Sequence, residues 1–276
     1  LMAIRGTSPF PSREAGPSST SNFSPPELRW PWQEKGLAPF RTTALAERLS
    51  AWRSLLGPYM GNAALTILRE GFVIPRTNQR LIPCYERNHP SVEEDPELIH
   101  RIVAKYVLTG TVETVPRFFP APSIIHPIGL TPKKSVEEPW RIIHDCRTDN
   151  DTIVRWPSEL HGVSASAYLF SRKCWVFYLD IKAAYLTVPL AGCGGGLRKT
   201  GCTLPDGSPE YIMGCSLRDG TCRGGCDKDR LGFCWGGRAY RLNAPPFGMR
   251  VSGNALEILT KAYVRRWLKR GIRILI

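Results

Sequence analysis

A short apolar run closed by an acid constrains this chain most. Residues 174–179 (CWVFYL) are hydrophobic without alternation, bounded by Arg172-Lys173 before and Asp180 after. Such a run predicts a strand covered on both faces, because a half-exposed strand would alternate apolar and polar positions. The rest of the chain must therefore supply packing layers on either side. The spacing of Leu45, Leu49, Trp52, Leu55 and Leu56 predicts a helix over 44–56, closed by Gly57-Pro58. A second helix is predicted over 96–108, with Pro96 suited to the first turn, Leu98, Ile99, Ile102, Val103 and Tyr106 facing inward, and Gly110 as the stop. A third is predicted over 252–270, with Leu256, Leu259, Tyr263 and Trp267 on one face and Gly271 beyond its end.

Between these helices the hydrophobic period shortens. Residues 123–131 (SIIHPIGLT) and 139–145 (PWRIIHD) are rich in β-formers and predict a hairpin with a charged tip that begins at Lys133 and Lys134. Leu231, Phe233 and Trp235 alternate, Gly236-Gly237 supplies a two-residue turn, and Tyr240 and Leu242 resume the alternation, which predicts a second hairpin. Residues 272–276 read as the start of another strand. No repeat at a fixed period is present.

Charge narrows the partner class. The 276 residues carry 37 Lys and Arg against 24 Asp and Glu, a net +13, so a polyanion such as nucleic acid is the expected partner. The alternative polyanion is an acidic membrane surface, but no run of about 18 apolar residues offers a membrane-spanning helix. The start lacks a signal-peptide core, which predicts an intracellular protein. Residues 1–40, with a Pro- and Ser-rich start, read as a disordered leader. A helical segment occupies 41–115, and the main folded part 116–276. Both ends read as cuts in a longer frame.

The cysteines are unevenly placed. Cys193, Cys202, Cys215, Cys222, Cys226 and Cys234 crowd one stretch, most of them in a Gly-rich segment over 191–230. The spacing of Cys215, Cys222, Cys226 and Cys234 lacks the C-x₂-C pairs of zinc knuckles, so zinc is not expected. The segment reads as an insertion, of the kind left by an unspliced intron, a frame error or drift, carrying free thiols in a flexible loop.

Asp180 gains meaning from its downstream neighbours. Tyr185 comes five residues later, and Pro246-Phe247-Gly248 precedes the last amphipathic helix. Three blocks stand in order: LTPKKSVEEPWRIIHDCRTDN (130–150), WVFYLDIKAAYLTVPL (175–190) and GFCWGGRAYRLNAPPFGMRVSGNALEILTKAYVRRWLKRGIRILI (232–276). Together they resemble a reverse transcriptase of a retrotransposon, of the DIRS type or a relative. The resemblance extends from about Leu49, where AWRSLLGPYM and REGFVIP precede the blocks.

The resemblance implies an α+β fold, with right-hand polymerase fingers and a partial palm behind the helical N-terminal segment. It implies RNA-templated DNA synthesis by two-metal nucleotidyl transfer, with Mg²⁺ as cofactor and an RNA template, a DNA primer and deoxynucleoside triphosphates as partners. Asp180 would be the catalytic carboxylate and a Mg²⁺ ligand, and the Ile181 backbone carbonyl another ligand. Tyr185 would lie under the incoming sugar. Lys133 or Lys134 and Arg141 would close over the triphosphate, where point charge and bidentate guanidinium suit different oxygens. Phe247 and Gly248 would contact the nucleotide and the templating base. Along the last helix Lys261, Arg265, Arg266, Lys269 and Arg270 offer a basic stripe for phosphates.

The chain departs from the family pattern at Asp149, Pro245, Gly253 and Leu256, where apolar, Leu, Pro and aromatic residues are usual. The family's aromatic-x-Asp-Asp block would come after Ile276, so the sequence as written is expected to be a fragment inactive alone. A competing reading is a non-catalytic, basic nucleic-acid-binding protein or a decayed retroelement relic.

Overall fold

Helices and strands alternate along the chain. In the computed structural model the described residues are 41–77, 82–133, 139–157, 181, 183–193, 197–203, 207, 209–215, 217, 222 and 226–272, and they belong to one unit, Pro39–Ile276. The leader, the strand predicted over 174–179 with Asp180, Lys134 at the hairpin tip, and residues 273–276 lie outside the described residues.

The helical segment opens with α1 (Ala44–Glu47), α2 (Leu49–Leu56) and α3 (Asn62–Glu70), then β1 (Cys84–Tyr85), α4 (Pro96–Leu108) and β2 (Val112–Thr114). Next come β3 (Ile124–Ile125), β4 (Ile128–Pro132), β5 (Trp140–His144) and the short α5 (Arg147–Asn150). The last described elements are β6 (Leu197–Thr203), β7 (Pro209–Met213), β8 (Gly232–Trp235), β9 (Arg238–Leu242) and α6 (Ser252–Lys269).

Local chemistry explains several boundaries. Asp95 caps α4 by accepting a hydrogen bond from the Leu98 N–H at 2.9 Å, and Pro96 occupies the first turn, where its missing N–H costs nothing. Gly236 and Gly237, at φ 57° and 70°, form the two-residue turn joining β8 to β9, the left-handed geometry that matches strand twist. Phe233 stands opposite Tyr240 across that hairpin, their rings stacked at 5.1 Å. The strand predicted over 123–131 is divided. Pro127 has no N–H to continue a ladder, so β3 joins one sheet while β4 pairs with β5 in another.

The larger sheet has five strands in the order β1-β3-β8-β9-β2. β1 and β8 run parallel to β3, whereas β9 is antiparallel to both β8 and β2. This mixed sheet with helices gives an α+β fold. Its apolar core joins Leu231, Phe233 and Leu242 of the sheet region to Ile99 and Val103 of α4, Leu56 of α2, and Ala255 and Leu259 of α6. β4 and β5 add Ile128 and Ile142 to the same core, paired in register from Ile128 opposite His144 to Pro132 opposite Trp140. No helix among the described residues is long and apolar enough to cross a membrane.

Buried charge fastens distant segments together. Asp149, where an apolar residue was expected, is fully buried, and Arg76 binds both its carboxylate oxygens at 2.6 and 3.1 Å. The same guanidinium reaches Asp227 at 3.0 Å, whose other oxygen accepts the Ile74 N–H at 2.9 Å. Asp229 accepts from the Ser123 hydroxyl at 2.6 Å. The described part of 191–230 is thus no free loop. β6 and β7 pair as a hairpin, and a 3₁₀ turn over Asp227–Arg230 is tied to the helical segment and the sheet.

Candidate functional site

Three segments far apart in sequence bring Arg141, Tyr185 and Phe247 together. The Tyr185 and Phe247 rings lie 4.9 Å apart between centroids, and the Arg141 guanidinium carbon sits 5.4 Å from the Phe247 ring centroid. That distance suits a cation–π contact. Arg141 comes from β5, opposite Thr131 of β4, and its Nε is buried without a hydrogen-bond partner.

Tyr185 rides on a 3₁₀ turn over Ala184–Thr187, entered through Ala183 at φ 52°. A left-handed alanine is strained backbone, and such strain gathers at functional sites. Beyond the turn the chain is held firmly. Phe72 N–H donates to the Pro189 carbonyl at 2.7 Å, Ala191 N–H to the Phe72 carbonyl at 2.9 Å, and Leu190 N–H to the Asn243 carbonyl at 2.8 Å. Gly71 permits the approach, because a Cβ there would meet the Ala191 nitrogen at 2.5 Å.

Phe247 and Gly248 form a turn clamped against the end of β5. His144 N–H donates to the Phe247 carbonyl. The Asn150 side chain donates to the Gly248 carbonyl at 2.9 Å and accepts the Arg250 N–H at 2.8 Å. Gly248 adopts φ 107°, and a Cβ there would stand 2.1 Å from the His144 carbonyl oxygen, so only glycine fits. Pro245 and Pro246 before the turn are buried, whereas Gly248 is exposed.

Burial shapes the electrostatics under this turn. Burial, with a smaller contribution from His126, pushes the His144 pKa down to about 3, so its ring is neutral near pH 7. It packs edge-on against Phe233 at 5.2 Å. Burial also lowers His126, an effect only partly offset by Asp149 and by backbone carbonyls. Asp145 is held below the usual carboxylate range, first by its hydrogen bond from Arg147, and it also faces His89 at 3.4 Å. A guanidinium over one of two aromatic rings at an exposed glycine turn can hold a flat or sugar-like group beside an anionic one.

The other expected site residues are more scattered. Lys133 leaves β4 with its N–H bonded to the Pro139 carbonyl, which closes the base of the hairpin. Ile181 is exposed at 46%. In the basic stripe, Arg265 donates to the Tyr59 carbonyl at 3.2 Å and Arg266 to the Leu55 carbonyl, at the end of α2 and the turn that follows it. Lys261 pairs with Glu257 at 2.9 Å, while Lys269 and Arg270 are exposed. Three of the five stripe residues therefore serve contacts within the fold. Asn150, which matches the family pattern at the end of the first block, has a structural role as the turn's clamp, whereas the role of Arg76 as a charge bridge had no local sequence signal.

No protein-family model matches the sequence, and no curated protein matches it. Among solved structures, the crystal structure of a selenomethionine-labelled prototype foamy virus protease-reverse transcriptase CSH mutant is similar, at 14% identity and a TM-score of 0.47. The match covers 87% of this chain and 27% of that one, so the chain spans about a quarter of that protein's length.

Proposed function

We propose that this chain carries part of the nucleotide-binding face of a retroelement reverse transcriptase, an enzyme that copies RNA into DNA. The observation that supports the reading is the convergence of Arg141, Tyr185 and Phe247, residues from the three blocks of the sequence resemblance. In this reading Arg141 engages the triphosphate, aided by Lys133 or Lys134. Tyr185 lies against the sugar, where its ring leaves no room for a ribose 2′-hydroxyl. Phe247 and Gly248 line the approach of the nucleotide.

Asp180 and the Ile181 carbonyl are the proposed ligands for Mg²⁺, which, when bound, supplies charge stabilisation for phosphoryl chemistry. Ile181 lies at the surface, where a ligand to an ion arriving with a nucleotide must be reached. An RNA template, a DNA primer and an intracellular location complete the proposal.

Equilibrium binding of a fluorescent deoxynucleoside triphosphate with Mg²⁺ tests it. Arg141→Ala should weaken binding at least about tenfold, the loss of a charge-assisted contact. Tyr185→Ala should leave deoxynucleotide binding in place and raise ribonucleotide binding towards it. Equal affinity in wild type and both variants, with all three folded, would refute the assignment.

A further inference from the structure

Four sulfurs from the Gly/Cys-rich segment converge. The Sγ atoms of Cys193, Cys215, Cys222 and Cys226 all lie within 4.8 Å of one another. Cys193 to Cys222 is 3.9 Å, Cys215 to Cys226 is 3.6 Å, and Cys222 to Cys226 is 3.8 Å. Four thiolates around Zn²⁺ at about 2.3 Å sit at the corners of a tetrahedron whose edge is about 3.8 Å. A disulfide would need about 2.05 Å between sulfurs. The spacing is that of a metal centre, and we propose that these four cysteines bind one Zn²⁺ ion, which fastens the 191–230 segment to the sheet.

The backbone is built for this convergence. A Cβ on Gly192 would stand 2.4 Å from the Cys215 nitrogen, and one on Gly214, at φ 71°, would stand 2.4 Å from the Gly192 Cα. The residues directly before Cys193 and Cys215 are therefore glycines packed backbone to backbone, which lets the two sulfurs meet. The chain after Cys226 turns back on it, the Asp229 N–H donating to the Cys226 carbonyl at 3.0 Å.

The surrounding charge has the right sign. Zn²⁺ with four thiolates carries a net charge of about −2. Arg241, fully buried on β9, donates from Nη1 to the Cys222 sulfur at 2.9 Å and from Nη2 to the Cys215 carbonyl at 3.3 Å. Its Nε and Nη2 also bind Glu113 of β2 at 2.9 and 2.7 Å, while the other Glu113 oxygen accepts the Leu217 N–H at 2.7 Å. Lys228 is buried as well; burial lowers its pKa, an effect that Cys215, Glu113 and Cys226 only partly offset. The cation that touches the cluster is the Arg241 guanidinium, and its direct contact with a ligand sulfur favours an anionic centre.

Loading is a ligand exchange without change of oxidation state. Hydrated Zn²⁺ gives up its bound waters for four Zn–S bonds, and each ligand that starts as a thiol releases one proton to solvent. The spacing rule missed the site because one ligand, Cys193, is remote in sequence and the other three do not form C-x₂-C pairs.

The test is metal analysis of the full chain purified from zinc-supplemented cells, joined to sulfur-edge and zinc-edge X-ray absorption. The proposal expects one equivalent of zinc per chain with four sulfur neighbours at about 2.3 Å. Cys84→Ser and Cys234→Ser, whose thiols lie outside the cluster, should keep the full equivalent, and Cys222→Ser should reduce it at least fivefold. If Cys222→Ser does not fold, zinc withdrawal from wild type by a chelator must expose four additional thiols to a thiol reagent without added reductant. Less than a tenth of an equivalent of zinc, iron in its place, or recovery of these cysteines as disulfides would overturn the proposal.

Discussion

Removing the guanidinium of Arg76 should destabilise the protein more than its position near the surface suggests. Its side chain is 12% exposed, but it bridges Asp149, which is 0% exposed, to Asp227, at 14%. Arg76→Met leaves the Asp149 carboxylate buried, with the Thr152 hydroxyl at 3.2 Å as its remaining side-chain partner. Stranding one member of a buried pair costs about 3–5 kcal/mol. For a unit of this size each kcal/mol lowers Tm by about 2–4 °C, so the expected drop is roughly 6–20 °C. Asp149→Asn keeps an acceptor and leaves Arg76 paired with Asp227, so it should cost less, about 1.5–3 kcal/mol. The double variant strands no charge at residue 149 and should lose at least about 1 kcal/mol less than the sum of the single losses. Urea unfolding monitored by tryptophan fluorescence and circular dichroism measures all three. An Arg76→Met variant within about 0.5 kcal/mol of wild type, or strictly additive losses, would refute the argument that this bridge holds the three segments together.

Gly248→Ala should displace the Phe247 turn, because its Cβ would overlap the His144 carbonyl oxygen at 2.1 Å; a stability loss above about 2 kcal/mol is expected in urea titrations, and a loss below about 0.5 kcal/mol would contradict the clamp. The lowered His144 pKa, about 3 against about 6.5 when unfolded, means that the unfolded chain binds the extra proton between those values. Stability is therefore fully present above about pH 6.5 and falls by roughly 1 kcal/mol per pH unit as pH drops towards 3, a slope that urea midpoints should show and that His144→Leu should reduce. Gly214→Ala should separate the backbones at Gly192 and Gly214 and lower zinc content at least fivefold, whereas Gly253→Ala, on α6 where a Cβ meets nothing within 4 Å, should leave zinc content unchanged.

Features set by neighbours in sequence were legible. α4 runs over Pro96–Leu108 as its periodicity and Pro96 predicted, and the β8–β9 hairpin obeys its alternation and its Gly-Gly turn. The predicted first helix is broken at Arg48, and the division at Pro127 turned one predicted strand into two, because pairing partners decide where a strand segment goes. On α6 the buried face includes Ala255, Leu259 and Ala262, while Tyr263 lies at the edge against Trp52 at 5.0 Å. Asp149 departs from the family pattern, in which an apolar residue is usual, and the partner that accounts for it, Arg76, lies 73 residues away. Arg141, Tyr185 and Phe247 were named only through the resemblance to polymerase blocks, since no periodicity predicts that residues so distant will meet. The described part of the cysteine segment is not the flexible loop expected, for the same reason: its contacts run to Glu113, Arg241 and Arg76, all outside it.

Photolabelling of the full chain with an azido-deoxynucleoside triphosphate in the presence of Mg²⁺, with peptide mapping of the product, addresses the proposed nucleotide face most directly. The account predicts labelling of the peptides that contain Tyr185 or Phe247, protection by excess unmodified deoxynucleoside triphosphate, and at least a tenfold loss of label in Arg141→Ala. Label confined to other peptides, or label on these two that neither the competing nucleotide nor Arg141→Ala diminishes, would contradict it.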